Sequence, residues 1–144
     1  MKNIVVLVSG GGTNLQALID AQNRGEIENG RITCVISSKE GVHALERAAK
    51  NGIPSRVIPR SGYESREAYS KTILEALREE KADLVILAGF LIILDQSVPA
   101  AFPNQILNVH PALIPSFCGP GYYGLKVHEA ALAAGVKLTG ATVH

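Results

Sequence analysis

The chain has 144 residues, of which 47% are hydrophobic and 19% charged, and its formal net charge is +1. This length and composition are typical of one globular domain and disfavour intrinsic disorder. Lysine and arginine are scattered singly among aspartate and glutamate, which disfavours nucleic acid as a partner.

Apolar β-branched runs alternate along the chain with helical patterns, which is typical of βαβ units and a parallel sheet. We predict strands over residues 4–9, 31–37, 55–58, 83–88, 105–109 and 138–144, and helices over 13–24, 42–51, 64–80, 96–101 and 125–134. For the third helix, the spacing of Ser61 and Glu64 indicates a capping box, and one apolar stripe comprises Tyr69, Ile73, Leu74 and Leu77. The predicted fold is a doubly wound, mostly parallel α/β sheet with helices on both faces, in a single domain over 1–144.

Neither the apolar stretches nor the cysteines indicate a membrane, secreted or metal-binding protein. The most apolar stretch, residues 84–94, is shorter than the ~20 residues that cross a bilayer, and the apolar run at the start is shorter than that of a signal peptide. Cys34 and Cys118 form no C-x-x-C pair and have no metal-ligand spacing with histidine. We therefore predict a cytoplasmic protein with no metal and no membrane partner.

A glycine-rich loop follows the first predicted strand. Gly10, Gly11 and Gly12 allow backbone N–H groups to approach an anion at the start of a helix, and Thr13 and Asn14 add side-chain donors. The loop lacks the lysine of a Walker A motif and the third glycine of a dinucleotide-binding loop. A phosphate monoester is therefore the favoured ligand, and the alternative is a tight turn that binds nothing.

The fifth predicted strand carries two polar side chains at strand spacing. Residues 105–109 are predicted to form a buried strand, and Pro111 should end it near His110. Asn108 and His110 then point to the same face. An amide beside an imidazole can stabilise an oxyanion and move a proton, whereas a purely structural histidine would bond to backbone.

Three of the predicted loops follow carboxyl ends of strands. They are the glycine loop, residues 89–94 after the fourth strand, and the segment after His110. Ligands of open α/β sheets bind at this edge. We therefore expect the three loops to meet at one crevice if the first, fourth and fifth strands are neighbours.

Five segments together carry a family resemblance. They are Ser9-Gly10-Gly11-Gly12-Thr13-Asn14-Leu15, Ser65-Arg66-Glu67-Ala68-Tyr69, Leu87-Ala88-Gly89-Phe90, Leu107-Asn108-Val109-His110-Pro111-Ala112-Leu113-Ile114-Pro115 and Gly140-Ala141-Thr142-Val143-His144. In these segments the chain resembles the phosphoribosylglycinamide formyltransferases, the folate-dependent enzymes of purine biosynthesis. The block around Asn108 and His110 is specific for folate formyltransferases, and the glycine loop indicates the purine branch.

The resemblance implies transfer of a formyl group from 10-formyltetrahydrofolate to the amine of phosphoribosylglycinamide. Gly12, Thr13 and Asn14 would hold the substrate phosphate. Asn108 and a protonated His110 would be catalytic and stabilise the tetrahedral oxyanion. The residues implied to contact the folate are Arg66, Leu91, Ile92, Ile93, Leu94 and Asn108.

The chain departs from the family pattern at three places. The family commonly has arginine at the position of Ile92 and serine at the position of Ala112. Family members also continue beyond the segment that matches Thr142-Val143-His144, into a loop with an aspartate that keeps the histidine protonated. Because this sequence ends at His144, we expect the 144-residue form to be weak or inactive, or to need a partner.

Two alternative functions remain open from the residues. A formyltetrahydrofolate hydrolase would use Asn108 and His110 with water as the nucleophile, although such an enzyme needs no sugar-phosphate loop. A non-catalytic nucleotide-binding module would bind the 2′-phosphate of NADP at Ser37-Ser38-Lys39, with His110 structural. In each case we expect small-molecule ligands and a monomer or homodimer.

Overall fold

The structure is a computed structural model that describes residues 1–144. It divides into two compact units, Met1–Ile106 and Leu107–His144, which are described separately. The single-domain assignment stays a prediction.

The first unit alternates strands and helices. Its strands are β1 (Lys2–Val8), β2 (Gly30–Ser37), β3 (Ser55–Val57) and β4 (Leu84–Leu87), and its helices are α1 (Thr13–Asn23), α2 (His43–Lys50), α3 (Arg66–Glu79) and α4 (Ser97–Ala101). β1 pairs in parallel with both β2 and β4, and β2 pairs in parallel with β3. The strand order is therefore β3-β2-β1-β4, with β1 in the interior.

Strand periodicity explains why helices cover both faces of this sheet. Val5 and Leu7 of β1 pack in a cluster with residues of α3 and α4, whereas Ile4, Val6 and Val8 pack in a second cluster with residues of α1 and α2. Successive side chains of a strand point to opposite faces, so a strand that is buried on both faces is apolar throughout.

The second unit contains the rest of β5 (Ile106–His110), then α5 (Leu125–Ala134) and β6 (Thr142–Val143). β5 and β6 are antiparallel, with Val109 opposite Val143 and His110 opposite Thr142. The chain ends β5 at His110 because Pro111 has no N–H for a further ladder bond. The expected end of the fifth strand is thereby confirmed.

The predicted fold class is confirmed, and several element boundaries are corrected. α3 begins at Arg66 instead of residue 64, and Ser65 caps it by accepting a hydrogen bond from the Ala68 N–H. The capping box at Ser61 is therefore wrong, since Arg60–Gly62 forms a 3₁₀ turn. The sixth strand covers only Thr142–Val143 of the predicted 138–144.

The fifth strand is less buried than the sequence suggested. Its residues are half-buried, and Leu107 is 39% exposed. An apolar run alone does not distinguish a central strand from a partly covered one, which is why the prediction of a buried strand failed here.

None of the helices combines the length and the apolar character that a membrane span requires.

Candidate functional site

The glycine loop joins β1 to α1 in the first unit. Gly12 precedes the helix with φ of 77°, and no side chain caps its N-terminus. A Cβ added at Gly12 would lie 2.7 Å from the Ala44 Cβ and 2.9 Å from the Ala44 Cα, so only glycine fits between the loop and α2. The close approach of α2 determines the course of the loop.

Helix α2 also orients the peptide groups of this loop. The Gly10 carbonyl accepts a hydrogen bond from the Ala44 N–H at 3.1 Å, and the Gly11 carbonyl accepts one from Arg47 Nε at 2.8 Å. Carbonyl and N–H of a trans peptide point in opposite directions. The N–H groups of Gly11 and Gly12 consequently point away from α2.

The first turn of α1 adds further donors beside the loop. Helix N-terminal N–H groups have no intrahelical partner, and the first turn of α1 has no acidic residue that would compete for them. Thr13 and Asn14 are exposed, and their side chains make no hydrogen bond within the chain. The residues predicted to hold a phosphate therefore form a set of unpaired donors at a positive helix end.

Ser9 connects the glycine loop with the segment after β4. Its buried hydroxyl lies 2.6 Å from the Ser38 hydroxyl and accepts a hydrogen bond from the Leu91 N–H at 2.9 Å. The expected meeting of the loops that follow β1 and β4 is confirmed by this contact.

The segment 91–94 has no regular secondary structure, and its side chains alternate between exposed and half-buried. Leu91 and Ile93 are 43% and 66% exposed, whereas Ile92 and Leu94 pack against the core cluster of α3 and α4. The Asp95 N–H donates to the buried Ser70 hydroxyl at 2.9 Å, and this hydrogen bond anchors the C-terminal end of the segment to α3. Residues 91–94 thus form a strip of exposed apolar side chains and backbone against which one face of a flat ring can pack.

Two cavities lie at this edge of the first unit. The Arg60 cavity, of about 450 Å³, is lined by Ser38, Lys39, Glu40, Arg60, Ser61 and Ile92 among others. The Arg66 cavity, of about 400 Å³, is lined by Arg66, Glu67, Leu94, Asp95 and Gln96. The structure thus brings Arg66 and Leu94 together, as the resemblance implies, and places Ile92 in the other cavity.

Tyr69 supports the Arg60 cavity from the core. Its hydroxyl donates to the Ile58 carbonyl at 2.8 Å, and burial raises the pKa of Tyr69 to about 12. The Arg60 guanidinium lies over the Tyr69 ring, 5.8 Å from its centroid. This cation–π contact favours one position of the Arg60 side chain.

In the second unit, Asn108 is paired with the last residue of the chain. The backbones of Asn108 and His144 exchange hydrogen bonds of 2.7 and 2.9 Å. Their side chains also meet, with Asn108 Nδ2 3.1 Å from His144 Nε2. One amide hydrogen and the amide oxygen of Asn108 have no partner within the chain.

His110 follows two residues later on the same face of β5. Its Nε2 lies 2.8 Å from the Phe117 carbonyl oxygen, which can only accept, so Nε2 carries the proton. Nδ1 has no partner within the chain. His110 thus makes the hydrogen bond to backbone that is expected of a structural histidine. Its Nδ1 nevertheless stays available for chemistry.

Sequence reasoning missed three contributors to these sites. Arg47 reaches the glycine loop from 36 residues along the chain, and Ser38 reaches Ser9 across 29. For His144, which lies in a segment that carries the resemblance, the sequence leaves a role beside the substrate open but gives it no support. The other two pairings depend on the packing of distant segments, for which a single sequence carries no pattern.

Comparison with known proteins supplies a family. A model of the formyl transferase family matches residues 2–144. The chain is 38% identical to the chloroplastic phosphoribosylglycinamide formyltransferase of Arabidopsis thaliana over 99% of its own length and 49% of that protein. It is 45% identical to the trifunctional purine biosynthetic protein adenosine-3 of Bos taurus over 98% of its own length and 13% of that protein.

A solved structure agrees in fold as well as sequence. Glycinamide ribonucleotide transformylase 1 from Symbiobacterium toebii superposes with a TM-score of 0.90 at 42% identity, over 100% of this chain and 65% of that one. The chain thus spans about half the length of the plant relative and about two thirds of the solved bacterial one.

Proposed function

This chain belongs to the formyl transferase family, and from that premise we propose that it binds phosphoribosylglycinamide and 10-formyltetrahydrofolate. The formyl group would pass from the folate to the glycinamide amine, a step of purine biosynthesis. The relatives at 38% and 42% identity, named as a phosphoribosylglycinamide formyltransferase and a glycinamide ribonucleotide transformylase, support the assignment of the acceptor and of formyl transfer.

The observation that carries the proposal is the orientation of the glycine loop. Its Gly11 and Gly12 N–H groups point away from α2 because the preceding carbonyls bond to Ala44 and Arg47. With Thr13 and Asn14, these donors suit the oxygens of one phosphate group at the helix N-terminus. A hydrolase acting on the folate alone would have no use for this site.

Asn108 and His110 would carry the chemistry. The amine nitrogen attacks the formyl carbon, the carbonyl π electrons move to oxygen, and the free Asn108 N–H and protonated His110 stabilise that oxyanion. Collapse of the intermediate breaks the bond to the folate nitrogen, which takes up a proton while the former amine loses one. His110 Nδ1 is the nitrogen available for this transfer, because Nε2 is bonded to the Phe117 carbonyl.

Arg66 and the segment 91–94 would bind the folate. Arg66 is exposed and makes no ion pair within the chain, so its guanidinium is available to a carboxylate. The exposed side chains of Leu91 and Ile93, together with the backbone of the strip, would lie against the aromatic rings. Ile92 and Leu94 would support them from the core side.

The free thiols Cys34 and Cys118 support a reducing compartment such as the cytoplasm for this chain. Burial raises the pKa of the Cys34 thiol to about 11, so this thiol is inert at neutral pH. The partners in this proposal are two small molecules, and the protein itself would be a monomer or homodimer.

Thermal unfolding with three ligands tests the proposal. Phosphoribosylglycinamide and a stable deaza analogue of 10-formyltetrahydrofolate should each raise the melting temperature of the chain, because both bind the folded state only. NADP should leave it unchanged. A shift with the folate analogue alone would favour a hydrolase, and a shift with NADP alone would favour a nucleotide-binding module; either result contradicts the proposal.

A further inference from the structure

We propose that Thr142 and Phe117 hold the His110 ring in one orientation and one tautomer. Thr142 fixes the loop 111–117 against β6, and Phe117 presents its carbonyl oxygen to His110 Nε2; together the two residues form the His110 clamp. The resemblance gives neither residue a role. Both are positioning residues for the proposed formyl transfer, and this catalytic part of the inference rests on the proposed function.

Thr142 connects the loop to the strand that pairs with β5. It is half-buried and lies opposite His110 in the β5–β6 ladder. Its hydroxyl donates to the Ala112 carbonyl at 2.7 Å and accepts from the Ile114 N–H at 3.0 Å. A hydroxyl has one hydrogen to donate and lone pairs to accept, so a single oxygen fixes two peptide groups of the loop. The path of the chain after His110 is therefore set by β6.

The loop then returns to the histidine from which it started. The Ser116 N–H donates to the Leu113 carbonyl at 2.9 Å and closes a turn. The next residue, Phe117, places its carbonyl oxygen 2.8 Å from His110 Nε2. Because the nitrogen that faces a carbonyl must carry the proton, this contact fixes the ring orientation and leaves the lone pair on Nδ1.

Phe117 has a backbone conformation that its side chain disfavours. Its φ is 50°, in the left-handed region where a bulky residue is an outlier. Such a conformation persists only where surrounding contacts compensate for it, and these outliers cluster at functional sites. Two contacts compensate here, since the carbonyl bonds to His110 and the ring centroid lies 6.4 Å from that of Tyr122. The strained residue is thus the one that orients His110.

A histidine that merely stabilises the loop explains this arrangement less well. The hydroxyl of Thr142 and the turn at Leu113 and Ser116 hold the loop without any help from the imidazole. The bond between His110 and Phe117 therefore acts mainly on the ring. A reacting group that is held in place by its surroundings loses less rate to misplacement than one that rotates freely.

NMR of the imidazole nitrogens tests the clamp without any ligand. At a pH at which His110 is neutral, wild-type Nε2 should carry the proton and Nδ1 none, giving two well separated nitrogen resonances. Thr142→Val removes the hydroxyl and keeps the branched shape. Exchange of the Nε2 proton with water should then speed up by about two- to tenfold, because the hydrogen bond to Phe117 weakens. The two nitrogen resonances should also move towards each other as the tautomers interconvert.

Two further threonine variants serve as controls. Thr142→Ser restores the hydroxyl and should give the wild-type resonances and exchange rate. Thr33→Val removes another threonine hydroxyl, which donates to the Ile4 carbonyl at 3.4 Å in the first unit, and should leave His110 unchanged. A His110 ring that is unaffected by Thr142→Val, or affected equally by Thr33→Val, would overturn the clamp.

The strain at Phe117 has a test of its own. Phe117→Ala removes the ring contact and keeps a Cβ at a φ of 50°, whereas Phe117→Gly removes the ring and the strain together. The Nε2 proton should therefore exchange more slowly in Phe117→Gly than in Phe117→Ala. At an ordinary backbone position glycine is the more mobile of the two, so the reverse order would contradict the proposal.

Formyl transfer distinguishes a failure of the clamp from a failure of the proposed function. Thr142→Val should lower kcat by about two- to tenfold and leave the KM of both substrates within about twofold, because the clamp orients a reacting group and binds no ligand. A wild-type kcat in this variant, or an equal loss in Thr33→Val, would overturn the positioning role. If the wild-type chain transfers no formyl group, the proposed function fails, and the nitrogen resonances alone decide whether the clamp exists.

Discussion

At the scale of single residues, the site depends on polar groups that hold segments of backbone. The Ser9 hydroxyl accepts from the Leu91 N–H and contacts the Ser38 hydroxyl, so one oxygen links the chain after β1, β2 and β4. Arg47 serves the glycine loop in the same way through its bond to the Gly11 carbonyl. In the proposed function, these residues would position the groups that bind the ligand without touching it themselves.

Replacing Ser9 tests this positioning role. Ser9→Ala leaves the Leu91 N–H without its acceptor and should lower the free energy of unfolding by ~1–3 kcal/mol. Urea denaturation measures this change. The affinity for the folate analogue should fall as well, because the strip 91–94 loses an anchor.

Ser55→Ala is the matched control, since this β3 serine is exposed and its side chain makes no hydrogen bond. It should unfold like the wild type and bind folate equally well. Loss of folate affinity in both variants, or in neither, would contradict a role for Ser9 in placing the strip.

At the scale of elements, the start of α3 shows what local sequence can and cannot predict. Two serines, Ser61 and Ser65, precede the apolar stripe, and Ser61 has the spacing of a capping box. The chain uses Ser65, because Arg60–Gly62 is occupied by a 3₁₀ turn that packs beside Tyr69. Propensity favours both serines, and tertiary packing chooses between them.

A pair of substitutions tests which serine caps the helix. Ser65→Ala should cost ~1 kcal/mol of stability, because the Ala68 N–H loses its partner. Ser61→Ala should change stability by less than ~0.5 kcal/mol, as is usual for an exposed side chain. Urea unfolding of both variants measures the difference, and the reverse order would show that the capping box is the real start.

Other elements were predictable because their signals are local and strong. The alternation of buried side chains on the two faces of β1 follows from strand geometry. β5 ends before Pro111 because proline has no N–H to donate to a neighbouring strand. The start of β6 was placed too early, since pairing with β5 begins only at Thr142 although the predicted strand begins at residue 138. A strand forms only where a neighbouring strand pairs with it, and the sequence of one segment does not show where that partner begins or ends.

At the scale of the whole molecule, fold class and family were accessible from sequence, but the supports of the site were not. Motif and spacing in the sequence are enough to find the glycine loop and the Asn108–His110 pair. Other contacts join residues that lie far apart in sequence and meet only in the folded chain. They involve Arg47, Ser38 and the cations of the Arg60 cavity. Physical reasoning from one sequence therefore finds candidate reacting groups more readily than the groups that would orient them.

We expect the glycine loop to hold the phosphate of phosphoribosylglycinamide, and phosphorus NMR detects such binding at the phosphate itself. Titrating the ligand with the wild-type chain should shift its phosphate resonance, and Asn14→Asp should weaken that binding by at least about tenfold through charge repulsion. Asn104→Asp, the same substitution at an exposed turn with φ of 58°, should behave like the wild type. A phosphate resonance that stays unchanged with the wild-type chain, or shifts equally with Asn14→Asp, would show that the glycine loop does not hold the phosphate.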